Sequence, residues 1–251
     1  MTAAAKITPT SLTRDLIDHA VTSIDAADRF SDPYPHIFFR DFFPNAFYAE
    51  LIRSLPSEGY NKINSERTRM AVRLYGDNVD KIDGSVREMW SAVSAMLTSP
   101  EVESATRRQL REGLEMRARG DKVAGPDQLR MVAKPVLYRD TDGYQIKPHP
   151  DTRNKVVTMQ LYCPADEGQR NLGTTLYKAS LKGLLHLGSY GLEPVKTLPF
   201  LPNVGYAFVV LKAYHSLTRM SWHGRPTVKT TSDRPRISIL NTFYVNENVG
   251  F

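Results

Sequence analysis

The sequence predicts an α+β fold in which helices of the first half pack on one sheet of a mainly β second half. In the first half, apolar residues recur at the three- and four-residue spacing of helices. After about residue 128, short apolar segments alternate with Gly, Pro and Asn, which is the pattern of strands separated by turns. Many short strands at this spacing favour a sandwich or a jelly-roll barrel. We therefore expect one domain over residues 1–251, with a mostly helical lead-in at 1–128 and the β core at 129–251.

Helical spacing marks four segments of the lead-in. Ser11 is a suitable N-cap for the first of them, and Gly120 is expected to end the last. The dense arginines of that last helix, including Arg117, are expected to form its solvated face. Segment 61–83 has no regular period and is expected to be a loop-rich connection. The predicted helices begin at Ser11 and span 47–55, 85–97 and 101–119.

The second half contains seven candidate strands. The pair Asp142-Gly143, between the first two, is a turn sequence typical of hairpins. Within the lead-in, the aromatic segment 33–39 is expected to be extended, since Pro33 and Pro35 restrain its start. The predicted strands of the second half span 129–138, 144–147, 155–162, 174–177, 195–198, 206–211 and 236–245.

Composition and charge narrow the class of protein. Of the 251 residues, 41% are apolar and 24% are charged, which is typical of folded globular proteins. The chain has no apolar run long enough to cross a membrane, no apolar leader and a single cysteine, Cys163, so we expect a cytoplasmic protein without a membrane partner. The net charge is +6, but Lys and Arg are scattered, so a nucleic-acid partner is not expected. The oligomeric state is open.

The motif His149-Pro150-Asp151 in the β half has the composition of a metal site. Residues i and i+2 of an extended chain point to the same face, so both side chains can reach one ion. One histidine and one carboxylate leave the site incomplete, and a second histidine has to come from a later strand. Two histidines and one carboxylate on one face of Fe(II) leave positions open for a cosubstrate and oxygen.

Two later histidines could complete this set. His215 closely follows the apolar segment 205–211, where a ligand at a strand end would be natural; the alternative is a pocket-lining or hydrogen-bonded loop residue. His223 leaves room for one turn and an adjacent strand before Arg236, and this spacing favours His223. The remaining histidines, His19, His36 and His186, are expected to be structural or exposed.

Five motifs occur in order in the second half: Tyr144; His149-Pro-Asp151; Lys155-Val-Val-Thr158 with Tyr162; Trp222-His223-Gly224; and Arg236-Ile-Ser238. In this order they resemble the motifs of the Fe(II)/2-oxoglutarate-dependent oxygenases, near the prolyl-4-hydroxylase-like branch. The resemblance covers about residues 130–245. It implies a double-stranded β-helix, a jelly-roll or cupin-like barrel, with the N-terminal helices packed on one sheet.

The resemblance also implies roles for individual residues. It assigns Fe(II) to His149, Asp151 and His223, and the far carboxylate of 2-oxoglutarate to Arg236 and Ser238. An arginine suits that carboxylate because its planar fork binds it with two hydrogen bonds and stays charged. Arg234 is the alternative anchor, although the Arg-x-Ser spacing favours Arg236. Further expected cosubstrate contacts are Thr158, Gln160 and Tyr162, and expected substrate contacts are Tyr144, His215 and Trp222.

The implied activity is hydroxylation of an unactivated C–H bond of a small molecule by Fe(II), 2-oxoglutarate and O2, with release of succinate and CO2 and with ascorbate as a stimulant. Because Asp151 is retained, hydroxylation or desaturation is expected rather than halogenation. Two alternatives stay open: a non-redox cupin-like module that binds metal or sugar, and a nucleic-acid demethylating oxygenase. Arg67, Arg69 and Arg73 could meet an anionic substrate or be solvated surface residues.

Overall fold

The computed structural model describes residues 11–63, 65, 68–179, 191–231 and 233–249. Two antiparallel sheets and five α-helices make up this part of the chain, which confirms the predicted α+β class. No helix within it is long and apolar enough to cross a membrane. The helices are α1 (Ser11–Asp25), α2 (Asn45–Arg53), α3 (Arg87–Leu97), α4 (Pro100–Gln109) and α5 (Arg111–Asp121).

The larger sheet has eight strands and the smaller sheet has four, and every pairing is antiparallel. In spatial order, the larger sheet consists of β1 (Asp28–Phe30), β2 (His36–Arg40), β10 (Val204–Val209), β7 (Lys155–Tyr162), β12 (Arg236–Tyr244), β5 (Val132–Asp140), β4 (Arg69–Arg73) and β3 (Asn61–Lys62). The smaller sheet consists of β6 (Ile146–His149), β11 (His223–Arg225), β8 (Thr174–Ala179) and β9 (Leu192–Leu198). These are two separate sheets, not one closed sheet, in the part of the chain that the structure describes.

The larger sheet lies between the helices and the smaller sheet. One face of its central strand β7 contributes Val157, Met159 and Leu161 to an apolar cluster shared with the helices. Tyr162 points to the opposite face, where it joins a second cluster with Leu176 of β8 and residues of β10. Because side chains alternate along a strand, the residues of β7 between the apolar ones face the space between the two sheets.

The predicted single helix 101–119 is wrong, because the chain forms two helices that meet at Leu110. This residue has a φ of −102° and a ψ of 18°, and its side chain is buried in the core. No Pro or Gly marks the break, so tertiary packing sets it. The second helix also runs past Gly120 and ends where Lys122 adopts a left-handed φ of 59°.

The lead-in contains more sheet than the sequence predicts. Segment 61–83, expected to be a loop-rich connection, contains β3 and β4, and β4 pairs with β5 to extend the larger sheet. The hairpin expected at Asp142-Gly143 is also wrong, because this turn leads from β5 in the larger sheet to β6 in the smaller one. The three-residue strand β11 is absent from the predicted set.

Arg117 is buried, whereas the sequence predicts a solvated residue. Only 1% of its surface is exposed. Its guanidinium donates to the backbone carbonyls of Arg153 at 2.7 Å, Lys155 at 2.8 Å and Val210 at 2.7 Å. The first two carbonyls belong to the segment that directly follows the His149-Pro150-Asp151 motif. Helix α5 therefore holds that segment in place.

Candidate metal centre

Two neighbouring strands of the smaller sheet bring two histidines together. His149 is the last residue of β6, His223 is the first residue of β11, and the two are register partners in the antiparallel pair. Asp151 follows two residues after His149. One possible ligand atom from each of the three side chains lies within 4.8 Å of the others. The structure thus brings together the three residues that the sequence assigns to the metal.

Backbone carbonyls set the orientation of both imidazole rings. Nδ1 of His149 lies 3.0 Å from the carbonyl oxygen of Lys147, and Nδ1 of His223 lies 3.0 Å from that of Ser221. Since a carbonyl only accepts hydrogen bonds, we assign the proton to Nδ1 in each ring, which leaves the Nε2 lone pair free. The Nε2 atoms lie 3.9 Å and 3.8 Å from the two oxygens of Asp151. This is the arrangement that outer partners impose on metal-binding histidines.

Asp151 is a buried carboxylate with two polar partners. Lys155 Nζ donates to its Oδ1 at 2.6 Å, and Thr158 Oγ1 donates to its Oδ2 at 2.7 Å. Burial alone would raise the pKa of Asp151, but Lys155, His223 and Thr158 together hold it below the usual value. The carboxylate is therefore charged at neutral pH, as a metal ligand must be.

His223 is neutral at neutral pH. Burial lowers its pKa to about 4, and the attraction of Asp151, which favours the protonated ring, offsets only part of that effect. Neutral imidazole is the form that binds metal ions. Two oriented imidazoles and one anionic carboxylate therefore fit a divalent transition metal such as Fe(II).

A cavity of about 100 Å³ lies against these three residues. Three cationic side chains are among those that line it: Arg69, Lys155 and Arg225. One wall carries a hydrogen-bonded set in which Tyr206 donates its hydroxyl proton to Gln160 Oε1 at 2.7 Å. A small cavity with several cations beside a candidate metal site favours an anionic ligand.

The predicted cosubstrate residues occupy two layers. Thr158 and Gln160 line the cavity. Ser238 lies behind Gln160, whose Nε2 donates to the Ser238 hydroxyl at 3.0 Å, and Arg236 Nη1 donates to the same hydroxyl at 3.1 Å. Tyr162 is buried among the aromatic residues between the sheets. Arg236, Ser238 and Tyr162 are thus near the cavity without forming its wall.

The predicted substrate contacts do not form one group. Tyr144 lies next to the cavity, since Arg69 donates to its hydroxyl. His215 lies against helix α5, with Nε2 at 3.0 Å from Asp121 Oδ1. Trp222 does not line the cavity, and its backbone carbonyl accepts a hydrogen bond from the hydroxyl of a buried tyrosine.

The other predicted positions are spread over the molecule. Arg234 is half exposed and donates to Asp166 at 2.7 Å, away from the cavity wall. Arg69 lines the cavity, whereas Arg73 is exposed. Arg67 and His186 lie outside the described residues.

Sequence reasoning missed several residues of the cavity wall, among them Thr174, Tyr206 and Arg225. Arg225 could have been found, because it lies two residues after His223 and therefore shares its face of the strand. This is the argument that joins His149 to Asp151. Thr174 and Tyr206 carry no comparable local signal.

The sequence matches no protein-family model and no curated protein. The chain is similar in structure to a Pseudomonas putida prolyl-4-hydroxylase, with a TM-score of 0.48 and 14% identity over 91% of this chain and 99% of that one. It is also similar to a Trichoplax adhaerens prolyl hydroxylase, with a TM-score of 0.48 and 11% identity over 92% and 90% of the two chains. A third similar structure is an oxidoreductase of the 2OG-Fe(II) oxygenase family from Burkholderia pseudomallei. It has a TM-score of 0.41 and 10% sequence identity, and the match covers 98% of this chain and 96% of that one.

Proposed function

We propose that this protein is an Fe(II)- and 2-oxoglutarate-dependent oxygenase that hydroxylates a C–H bond of a small molecule. The observation that carries the proposal is the grouping of His149, Asp151 and His223 at the wall of a cationic cavity. Two imidazoles, each oriented by a backbone carbonyl, and one carboxylate form the facial ligand set that leaves positions open on Fe(II). The nearby cations would attract an anionic cosubstrate into those positions.

The path of the chain supports a double-stranded β-helix as the fold of this enzyme. From β5 to β12 the strands pass back and forth between the sheets: β5, β7, β10 and β12 lie in the larger sheet, and the four others lie in the smaller one. The space between the two sheets holds the metal ligands. The largest apolar cluster contains residues from both halves of the chain, which supports a single domain over 1–251.

Bound Fe(II) would supply the activation of O2, coupled to conversion of 2-oxoglutarate to succinate and CO2. The chain's own residues have positioning roles around it. Lys155 and Thr158 hold the Asp151 carboxylate in one orientation through its two oxygens. Phe208 packs on the His223 ring, with centroids 4.8 Å apart, and limits rotation of that ligand. Thr158 and Gln160 also line the cavity; the Thr158 proton is donated to Asp151, whereas the Gln160 amide has a second N–H that would be the donor to an anionic cosubstrate.

The space beside the metal ligands has a volume of about 100 Å³ and opens to solvent, so a substrate can present a small group to the metal. A small molecule is the substrate that we propose. Tyr144 is our proposed substrate contact, because its hydroxyl is held by Arg69, which lines the cavity.

Turnover tests the proposal. The protein is loaded with Fe(II), 2-oxoglutarate and a panel of candidate metabolites without oxygen, and is then exposed to isotopically labelled O2. Mass spectrometry should detect succinate and a product that has gained one labelled oxygen atom. Asp151→Ala should form neither, whereas His19→Ala, whose ring is engaged with the Asp41 carbonyl away from the cavity, should form both. A protein that retains the metal but never forms succinate, even without a substrate, would be a cupin-like binding module and would overturn the proposal.

A further inference from the structure

Asp140, at the end of β5, is shared by three arginines from three different strands. Arg69 of β4 approaches its Oδ1 at 3.2 Å. Arg225 of β11 and Arg236 of β12 both approach its Oδ2, at 2.6 Å and 3.2 Å. The cluster joins the two sheets, because β11 lies in the smaller sheet whereas β4, β5 and β12 lie in the larger one.

Two of these arginines are buried against a single negative charge. Arg225 is 6% exposed, and both Arg236 and Asp140 are 0% exposed. Burial and the repulsion of Arg225 lower the pKa of Arg236 to about 10, although Asp140 opposes this effect. A buried charge without a counter-charge is costly, so one more anion near these two guanidinium groups would stabilise them.

Each of the two guanidinium groups also has an unused donor. Arg225 Nε and Arg236 Nη2 are buried and have no hydrogen-bond acceptor among the residues that the structure describes. Unsatisfied buried N–H groups are rare in folded proteins and point to a missing partner. A carboxylate is the partner that guanidinium groups bind best, through paired hydrogen bonds.

Arg225 is placed to contact a small molecule bound at the candidate metal site. It lines the same cavity as His149, Asp151 and His223, whereas Arg236 does not. Arg225 lies two residues after His223 in β11, which corresponds to about 7 Å along a strand. That separation suits a short diacid with one end at the metal and the other at Arg225.

We infer that Arg225 binds the far carboxylate of the 2-oxo acid from the cavity side, and that Arg236 supports it from behind as the second guanidinium of one shared carboxylate site. This inference rests on the proposed function and adds Arg225 to the residues that bind the cosubstrate. Asp140 is then a positioning residue that holds the two guanidinium groups together.

A comparison of two ligands tests this inference. Dissociation constants are measured without oxygen on the Fe(II)-loaded protein for 2-oxoglutarate and for 2-oxopentanoate, which lacks the far carboxylate. The parent protein should prefer 2-oxoglutarate. In Arg225→Gln, 2-oxoglutarate should bind about thirtyfold more weakly or worse, since a buried charge loses its partner, while 2-oxopentanoate is unaffected. Arg225→Lys should recover part of the preference, because it keeps the charge without the fork.

Arg234→Gln is the matched control, because Arg234 pairs with Asp166 outside the cavity wall and should leave the preference intact. An unchanged ratio of the two affinities in Arg225→Gln and Arg225→Lys would overturn the inference, including the case in which both ligands weaken equally. A loss of preference confined to Arg236→Gln would do the same. If the parent protein binds neither ligand, the proposed function itself fails, and that result differs from all of these.

Discussion

His149 and His223 face each other as direct register partners of β6 and β11, with ring centroids 4.6 Å apart. The two strands are far apart in the sequence, so the distance between the rings depends on the order of strands in the smaller sheet. A shift of one residue in that register would turn one ring to the opposite face. The proposed metal centre is therefore a property of the fold, with only the His149-Pro150-Asp151 part encoded locally.

The first prediction concerns metal affinity. His149→Ala and His223→Ala should each weaken Fe(II) binding by more than the roughly 10- to 100-fold that loss of an outer partner costs, because a ligand atom is removed. His215→Ala should bind Fe(II) like the parent, since His215 contacts Asp121 and is not one of the three proposed metal ligands. Anaerobic titration with metal analysis gives the comparison. Equal loss in His215→Ala and His223→Ala would remove the assignment of the third ligand.

The second prediction concerns the buried Arg117. Arg117→Met should lower the free energy of unfolding by about 3–5 kcal/mol, because three backbone carbonyls and Asp121 lose a buried partner. Arg119→Met, on the exposed side of the same helix, should change it by no more than about 0.5 kcal/mol. Urea unfolding measures both. Similar stability of the two variants would mean that Arg117 does not anchor the segment after Asp151.

The third prediction concerns the start of β8. A Cβ atom added to Gly173 would lie 1.8 Å from the carbonyl oxygen of Leu198. The backbone fixes the positions of both atoms, so a side-chain rotation cannot relieve the clash. Gly173→Ala should therefore destabilise the protein by about 1–3 kcal/mol or more. Gly125→Ala is the control, because no heavy atom lies within 4 Å of its added Cβ. Thermal unfolding that shows no difference between the two would contradict the packing at β8 and β9.

The fourth prediction concerns pH. Burial lowers the pKa of His215, and Arg117 and Lys212 act in the same direction, while Asp121 only partly opposes them. The unfolded chain therefore binds the proton more readily, so stability should fall as the pH drops from about 7 to about 5. His215→Gln should show a shallower fall over this range. A slope equal to that of the parent would mean that His215 does not contribute to the pH dependence.

Local patterns predicted part of the fold well. The predicted strand 155–162 and the observed strand β7, Lys155–Tyr162, have the same bounds. The break between α4 and α5 at Leu110 has no local signal, because the burial of that residue in the tertiary core decides it. Strand β11 has three residues, which is too short for any period to be visible.

Local spacing also predicts only part of the candidate site. His149 and Asp151 are two residues apart, so the period of a strand is enough to join them. Arg225 and Arg236 meet at Asp140 only because strands of both sheets converge there. Such a contact depends on topology, and a single sequence contains no direct record of it.

Binding of 2-oxoglutarate to the iron-loaded protein tests the central claim most directly. When a 2-oxo acid chelates Fe(II) without oxygen, a charge-transfer absorbance develops in the visible range. We expect this absorbance in the parent protein, with saturation at one 2-oxoglutarate per chain, and its absence in Asp151→Ala and His223→Ala. A parent protein that holds Fe(II) but develops no such absorbance at saturating 2-oxoglutarate would contradict the account. Absorbance in the two variants equal to that of the parent would also contradict it.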